Sequence, residues 1–545
     1  MTTASFETTE KKTAGPLPEA GPAKRAMIAC FNPATRESLG EVPCDTPAEV
    51  RAKVQRAHAA QRIYAATSFA RRRELLGNIL DHVIEHADDL CDVICRDAGK
   101  TRENAMMGEV WPVCEKLRHT VRHGERNLSP ETVSSGLFLH KRATIEYLPL
   151  GVIGVICPWN YPMQNILGPA IPALFAGNAV IAKVSEHVAW SSERFLRIFH
   201  EALDAAGLPR DLVQIVNGYG DVGAALVSGG VDKIVFTGSM PNGRRVIEES
   251  AKNLTPVILE LGGKDAFIVC DDANIEQAAH AALAGSFIAA GQNCLAAERY
   301  FVFDAVYDAF ASRVTELASE LRQGPPLGVQ PVDVGAMTSP VQLEIVERLV
   351  NDAVSKGARA LVGGKRVRQN EGDFFAPTVL SDVPKNAAIL HDETFGPVIA
   401  IVRVRDEEEA IARANETEYG LSATILTQDS ERAERMAKQI VAGGTSINDF
   451  GLTYMAMDLP FGGVRGSGYG RLNGREGLRA MTNVKSVLYD RLPNTMPAKL
   501  YPVGPFDYGM VREVVKTVYS RKLTKKLGGL IDLAKLAARR LRETS

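Results

Sequence analysis

Between residues 143 and 269, short β-branched runs alternate with amphipathic segments, and this alternation sets the fold class. Strand patterns fall at 143–147, 152–157, 179–184, 212–216, 233–236, 257–260 and 267–269. Helical patterns fall at 191–206, 222–228 and 243–252. Strands separated by helix-length segments need crossover connections, which make neighbouring strands parallel with helices packed on their faces. The expectation is an open α/β sheet. A second alternating stretch runs from about 275 to 448. Ahead of both, 47–66, 71–98 and 102–123 carry helical periodicity with charged faces.

One segment competes with this reading. Between Glu146 and Lys183 there is no Asp, Glu, Lys or Arg, a length sufficient to cross a bilayer. Pro149, Pro158, Pro162, Pro169 and Pro172, with Asn160 and Asn178, interrupt it. No continuous helix could satisfy its backbone in lipid, so the segment reads as buried strands, a functional loop and a buried helix. A chain of 545 residues, 45% apolar and 23% charged, has the composition of a globular protein with two or three cores. Its net charge of −2 gives no pull toward nucleic acid. Eight cysteines without a C-x-x-C spacing point to a reducing cytoplasm. Residues 1–25 lack an apolar core and read as a disordered segment, neither signal peptide nor anchor.

Two turns compete for a phosphate. Asn217-Gly218-Tyr219-Gly220-Asp221-Val222-Gly223 spells G-x-G-x-x-G directly after the 212–216 run. That fingerprint also wants an acidic residue about 20 positions on, at the end of the next strand. The next strand ends in Phe236-Thr237-Gly238-Ser239, with no acid. This second turn offers a glycine, a hydroxyl at a helix-capping position and Pro241 in a first helical turn.

Several short stretches then stand in a telling order. They are Cys157-Pro158-Trp159-Asn160-Tyr161-Pro162, Ala182-Lys183-Val184-Ser185-Glu186, Leu259-Glu260-Leu261-Gly262-Gly263-Lys264 and Gly291-Gln292-Asn293-Cys294. Asn32-Pro33 and Asp97-Ala98-Gly99-Lys100 precede them; Asp392-Glu393-Thr394-Phe395-Gly396-Pro397 and Pro460-Phe461-Gly462-Gly463-Val464-Arg465 follow. Together they resemble the NAD(P)-dependent aldehyde dehydrogenase superfamily over roughly residues 30–490, and within it the long-tailed branch with a C-terminal extension. The resemblance implies a Rossmann-like NAD-binding domain (26–130 and 151–260), an α/β catalytic domain (261–470) and a small β oligomerisation arm (131–150 and 471–492). Residues 493–545 form the extension.

The resemblance also assigns roles. Cys294 is the nucleophile, because a thiolate can turn a planar carbonyl into a tetrahedral adduct. The Asn160 amide and the Cys294 backbone N–H would stabilise its oxyanion. Glu260 is the general base for thioester hydrolysis, and apolar surroundings should raise its pKa. Relatives that acylate coenzyme A commonly lack this Glu, so the expected product is a free acid. Lys183 belongs to both the catalytic and the cofactor set. Lys183 and Glu186 would hold the adenosine ribose, and an ionised Glu186 would repel a ribose phosphate, which favours NAD over NADP. Ser239 matches the pyrophosphate contact, and Gly218 borders the adenine. Glu393 and Phe395 match the nicotinamide-ribose holders, with Trp159, Ser185, Phe236, Gly238 and Leu261 completing the cofactor set. Tyr161, Gln164, Leu295 and Phe461 would line the substrate tunnel. With no arginine anchor evident, an apolar or aromatic aldehyde is expected. A homodimer or homotetramer is expected, because the arm's strands would otherwise leave open sheet edges.

Other patterns read as structural. His82-Val83-Ile84-Glu85-His86 spells H-x-x-E-H but lies in a helix crowded with charge. His119 and His123 share a helix face without an evident third ligand, and Cys91 and Cys95 read as packing. No metal is expected. Residues 511–543 carry ten Lys or Arg against Glu513, Asp532 and Glu543. Such a basic amphipathic helix can lie on an anionic membrane surface, or pack on the enzyme body or a partner subunit. Two rival functions remain: a coenzyme-A-acylating dehydrogenase, and a non-catalytic protein that kept the fold.

Overall fold

The computed structural model describes residues 25–367, 372–493 and 501–544. The 1–25 expectation therefore lies outside the described residues except for Arg25, whose guanidinium pairs with Glu49 at 3.3 Å. The chain forms two compact units, one of 1–131 and 145–486, the other of 132–144 and 487–545.

The first unit holds two large sheets. One has the strand order Gly468–Tyr469, Val257–Leu261, Lys233–Gly238, Val152–Ile156, Ala179–Lys183, Val213–Val216. All its pairings are parallel except that of Gly468–Tyr469. The chain begins the parallel set at Val152–Ile156, builds outward to Val213–Val216, then returns to the other side. The order thus reverses beside Val152–Ile156, and in open α/β sheets ligands gather beyond the carboxyl ends of strands at such a reversal. The central strands are buried along almost their whole length, as a parallel sheet covered on both faces requires. Asn178 ties the sheet's entry: its Oδ1 accepts from Leu150 and Gly151 N, and its Nδ2 donates to the Met481 carbonyl.

Helices from the first hundred residues cover this sheet. Pro47–Ala65 starts with a complete capping box, in which Thr46 Oγ1 accepts from Glu49 N at 3.2 Å and Glu49 Oε2 accepts from Thr46 N at 2.7 Å. Where one helix is expected over 71–98, two form, Phe69–Glu85 and Ala87–Ala98, separated at His86. Where one is expected over 102–123, Arg102–Ala105 passes into a π-helical turn, Met106–Val110, before Trp111–Leu128.

The second sheet has the order Arg359–Val362, Thr378–Ser381, Val398–Val404, Ala297–Phe303, Asp265–Val269, Ser422–Leu426, Gly444–Ile447, with only the first strand antiparallel. Each sheet has its own apolar core, one reaching from Val50 to Met481 and the other from Ala266 to Ile440. A three-stranded sheet has the order Thr482–Asp490, Lys141–Pro149, Glu131–Val133.

In the second unit the basic tail is not one helix but two, Asp507–Tyr519 and Leu523–Thr544. They pack on each other, with Arg540 paired to Asp507 at 3.1 Å and Lys516 to Asp532 at 3.6 Å. Among the described residues no helix is long and apolar enough to cross a membrane.

Candidate active site

The carboxyl ends of the first sheet's strands bring most of the expected residues to one edge. Trp159, Asn160 and Tyr161 follow Val152–Ile156; Lys183, Ser185 and Glu186 end or follow Ala179–Lys183; Gly218 follows Val213–Val216. Phe236, Gly238 and Ser239 end or follow Lys233–Gly238, and Glu260 and Leu261 end Val257–Leu261.

The loop bearing Cys294 leaves helix Ile275–Phe287 through Ala289 and Ala290, both left-handed at φ 52° and 54°, and Gly291 at φ 73°. A non-glycine residue in that region costs about 1–2 kcal/mol. Buried Gln292 spans the turn: its Nε2 donates to the Ala289 carbonyl and its Oε1 accepts from Thr338 N. A Cβ on Gly291 would stand 2.1 Å from the Gly396 carbonyl, so only glycine permits this approach.

Cys294 and Glu260 face one another. Burial raises the Cys294 thiol well above its ordinary value, and the Glu260 carboxylate raises it further. Burial likewise pushes Glu260 up to about 7, against a smaller lowering by the thiol. Glu260 Oε1 is buried with no hydrogen-bond partner among the described residues. Asn160 sits in the same wall. Its Nδ2 donates to the Gln292 carbonyl at 3.1 Å and its Oδ1 accepts from Asn165 Nδ2 at 3.1 Å. A raised carboxyl beside a thiol, with an amide close by, can accept a proton, expose a nucleophile and stabilise an oxyanion.

These three groups line a cavity of about 280 Å³ that also contains Tyr161, Gln164, Leu295 and Phe461, the four expected tunnel residues. Its wall is mainly apolar, with Met107, Trp111, Leu452 and Met455.

The Asn160 loop is fixed from below. Glu109, fully buried in the π-helical turn, accepts from Met163 and Gln164 N with one oxygen and pairs with Lys100 through the other at 2.7 Å. Lys100 Nζ in turn lies 3.4 Å from the Tyr161 ring centroid. The following helix, Gln164–Phe175, contains Pro169 and Pro172, which have no N–H to offer the carbonyls four residues back. Side chains supply the missing donors: the Cys157 thiol reaches the Asn165 carbonyl at 3.2 Å and Lys116 Nζ the Gly168 carbonyl at 3.1 Å.

The expected cofactor residues form a connected rim. Lys183 Nζ lies 3.4 Å from Glu186 Oε2. Burial alone would raise Glu186, yet Lys183 and the backbone bring it below its ordinary value, so it stands as an anion. Ser239 is the exposed N-cap of helix Met240–Ser250 and makes no side-chain capping bond. Of the glycine triplet only Gly218 is sterically required, at φ 152° with Val222 crowding its missing Cβ; Gly220 and Gly223 face open space. Glu393 accepts from Gly263 N at 3.0 Å, and burial pushes it up to about 8. Its loop hangs from Glu298, which accepts from Thr394 and Phe395 N and pairs with Lys264. The Phe395 and Trp159 rings meet edge-on at 5.4 Å. This arrangement suits a dinucleotide: an anion and a cation for ribose hydroxyls, a helix N-terminus for phosphate and a pair of aromatic rings.

Glu109, Lys116, Asn165, Gln292 and Glu298 were not among the expected site residues. Only Gln292 sat in a quoted motif; buried Glu109 and Glu298 look like ordinary surface acids in a linear sequence. The patterns set aside are engaged elsewhere: His82 Nδ1 with Glu201 at 3.1 Å, and His119 with Asp458 at 2.9 Å. None of the eight cysteines is in a disulfide.

The aldehyde dehydrogenase family model matches residues 21–487. An aldehyde dehydrogenase-like protein of Saccharomyces cerevisiae is 37% identical over 95% of this chain and 84% of its own length. A 4,4'-diapolycopene aldehyde oxidase of a Methylomonas species is 36% identical over 90% of this chain and 91% of its own. Among solved structures, the NAD+ complex of an aldehyde dehydrogenase from Bacillus cereus has a TM-score of 0.81 at 30% identity, covering 86% of this chain and 94% of that one. The chain belongs to the aldehyde dehydrogenase family and has its fold, a Rossmann-like domain with an α/β catalytic domain. It is an aldehyde-oxidising oxidoreductase of a nicotinamide-dinucleotide-dependent family.

Proposed function

We propose that the protein oxidises an aldehyde to a free carboxylic acid with NAD, using Cys294 as nucleophile. The observation that carries this reading is the pairing of the Cys294 thiol with the raised Glu260 carboxyl in an apolar cavity that also holds Asn160. Glu260, deprotonated, takes the thiol proton directly or through water. The sulfur attacks the carbonyl carbon, and the Asn160 amide and Cys294 N–H stabilise the oxyanion of the thiohemiacetal. When bound, NAD supplies the hydride acceptor. The resulting thioester is hydrolysed by a water that Glu260 deprotonates, releasing the acid and regenerating the thiol.

Lys183, Ser185, Glu186 and Ser239 would hold the adenosine and pyrophosphate half, with Gly218, Phe236, Gly238 and Leu261 flanking it. Trp159, Glu393 and Phe395 would hold the nicotinamide half. Anionic Glu186 supports NAD over NADP. The apolar tunnel supports an apolar or aromatic aldehyde. The relative named for a diapolycopene aldehyde is compatible with that class. Exposed Val484 and Leu488 on strand Thr482–Asp490 support a homodimer or homotetramer, and free cysteines a cytoplasmic setting. The basic charge of 511–543 supports peripheral contact with an anionic membrane; equal flotation with anionic vesicles of the full chain and a version ending near residue 492 would remove that element. The test of the chemistry is aldehyde-dependent NADH formation by Cys294→Ala, with product analysis in the presence and absence of coenzyme A. Unchanged turnover, or an acyl-coenzyme A product, would overturn the reading.

A further inference from the structure

Lys116 is 7% exposed, and burial pulls its pKa down to about 7. Buried lysines are nearly always paired. Here, among the described residues, burial shifts the amine with no neighbouring carboxylate to offset it. Its one hydrogen bond completes the Gly168 carbonyl. An ammonium has three donors, so two remain. A neutral donor would complete the helix equally well, so this structural task does not account for burying a cation.

Lys116 lines the tunnel together with Gln164, Gly168 and Tyr454. Gln164 Nε2 hydrogen-bonds the Tyr454 hydroxyl. Gly168 provides no cover: a Cβ there would stand 3.0 Å from Gln164 Nε2 and 3.9 Å from Lys116 Nζ. A buried amino group with polar neighbours thus interrupts an otherwise apolar wall, in the same cavity as Cys294, and an anion beside it would hold it protonated. Resting on the proposed aldehyde oxidation, we infer that Lys116 anchors a second, anionic group of the substrate, so that the preferred substrates are aldehydes whose apolar body also carries a carboxylate. This narrows the expectation of a purely apolar aldehyde. The cation that supplies the anchor is a lysine on a neighbouring helix rather than an arginine in a motif.

The experiment compares octanal with its ω-carboxylate counterpart, by kcat/KM, in the wild type, Lys116→Gln and Lys116→Met. Glutamine keeps a donor for Gly168 without the charge. The wild type should prefer the carboxylate-bearing aldehyde by about tenfold to a hundredfold, the worth of one charge-assisted hydrogen bond. Both variants should bring the ratio near one. A merely structural lysine would change both substrates together and leave the ratio intact, which would overturn the inference. A wild type without the preference would overturn it even if neither variant folds. Wild-type oxidation of neither aldehyde, against retained turnover of an aromatic one, would reject the anchor and leave the proposed chemistry standing.

Discussion

Asn165 donates its side-chain amide to Oδ1 of Asn160 at 3.1 Å, which leaves Asn160 Nδ2 directed at the Gln292 carbonyl beside Cys294. The proposed oxyanion donor is therefore oriented by a second asparagine five residues on, in the first turn of helix Gln164–Phe175. Asn160→Ala should lower kcat about 100- to 1000-fold, the usual effect of losing such a donor. Asn165→Ala should lower it less, and the double variant should be no slower than Asn160→Ala. Steady-state kinetics of the three proteins checks this; additive losses would show that the two amides act separately.

Glu260→Gln should slow both halves of the reaction, and thioester hydrolysis the more. Thioester hydrolysis should slow by about 100- to 10,000-fold, the range for losing a general base, so that acyl-enzyme accumulates on Cys294. Intact-protein mass spectrometry after mixing with aldehyde and NAD would detect it. In the wild type the base is competent only when ionised, so turnover should rise with pH through about 7.

The same raised carboxyl has a consequence for stability. Its folded pKa of about 7 lies above the ordinary 4.5, so the folded state holds a proton that the unfolded chain releases between those values. Its contribution is therefore fullest below about pH 4.5 and falls as pH rises toward 7, by about 3 kcal/mol from the size of the shift. Glu260→Gln should be more stable than the wild type at pH 8, with the difference shrinking as pH falls. Thermal unfolding across that range measures it; a pH-independent difference would contradict the assignment.

Glu109→Ala should destabilise the protein by about 3–5 kcal/mol, because it leaves Lys100 charged, buried and unpaired. Replacing both Lys100 and Glu109 by apolar residues should restore much of the loss. A double-mutant cycle by chemical denaturation tests this. The Asn160 loop should still lose order in the double variant, since Met163 and Gln164 N lose their acceptor.

Glu186→Gln should raise NADP-dependent activity on the order of tenfold by removing an anion next to the ribose position. Unchanged cofactor preference would place the discrimination elsewhere on the rim.

The parallel sheet and its edge were legible because strand runs and turn residues are local signals. The Lys233–Gly238 strand and the Ser239 turn follow from five or six adjacent residues. Buried polar contacts were not legible. Glu298 meets Thr394 and Phe395 nearly a hundred residues away, and Lys116 meets Gly168 only because Pro172 leaves a carbonyl unfilled. The break at His86 and the π-helical turn also escaped, since a period of 3.6 continues smoothly on either side of both.

That π-helical turn amounts to a single residue more than a plain helix would hold between Arg102 and Leu128. One residue swings everything after it by roughly 100° about the helix axis. Trp111, Pro112 and Lys116 all lie downstream and all border the cavity. Deleting one position from Met106–Val110 would turn another set of side chains toward the cavity without altering any of them, so the shape of that cavity depends on helical phase as much as on which residues the helix carries.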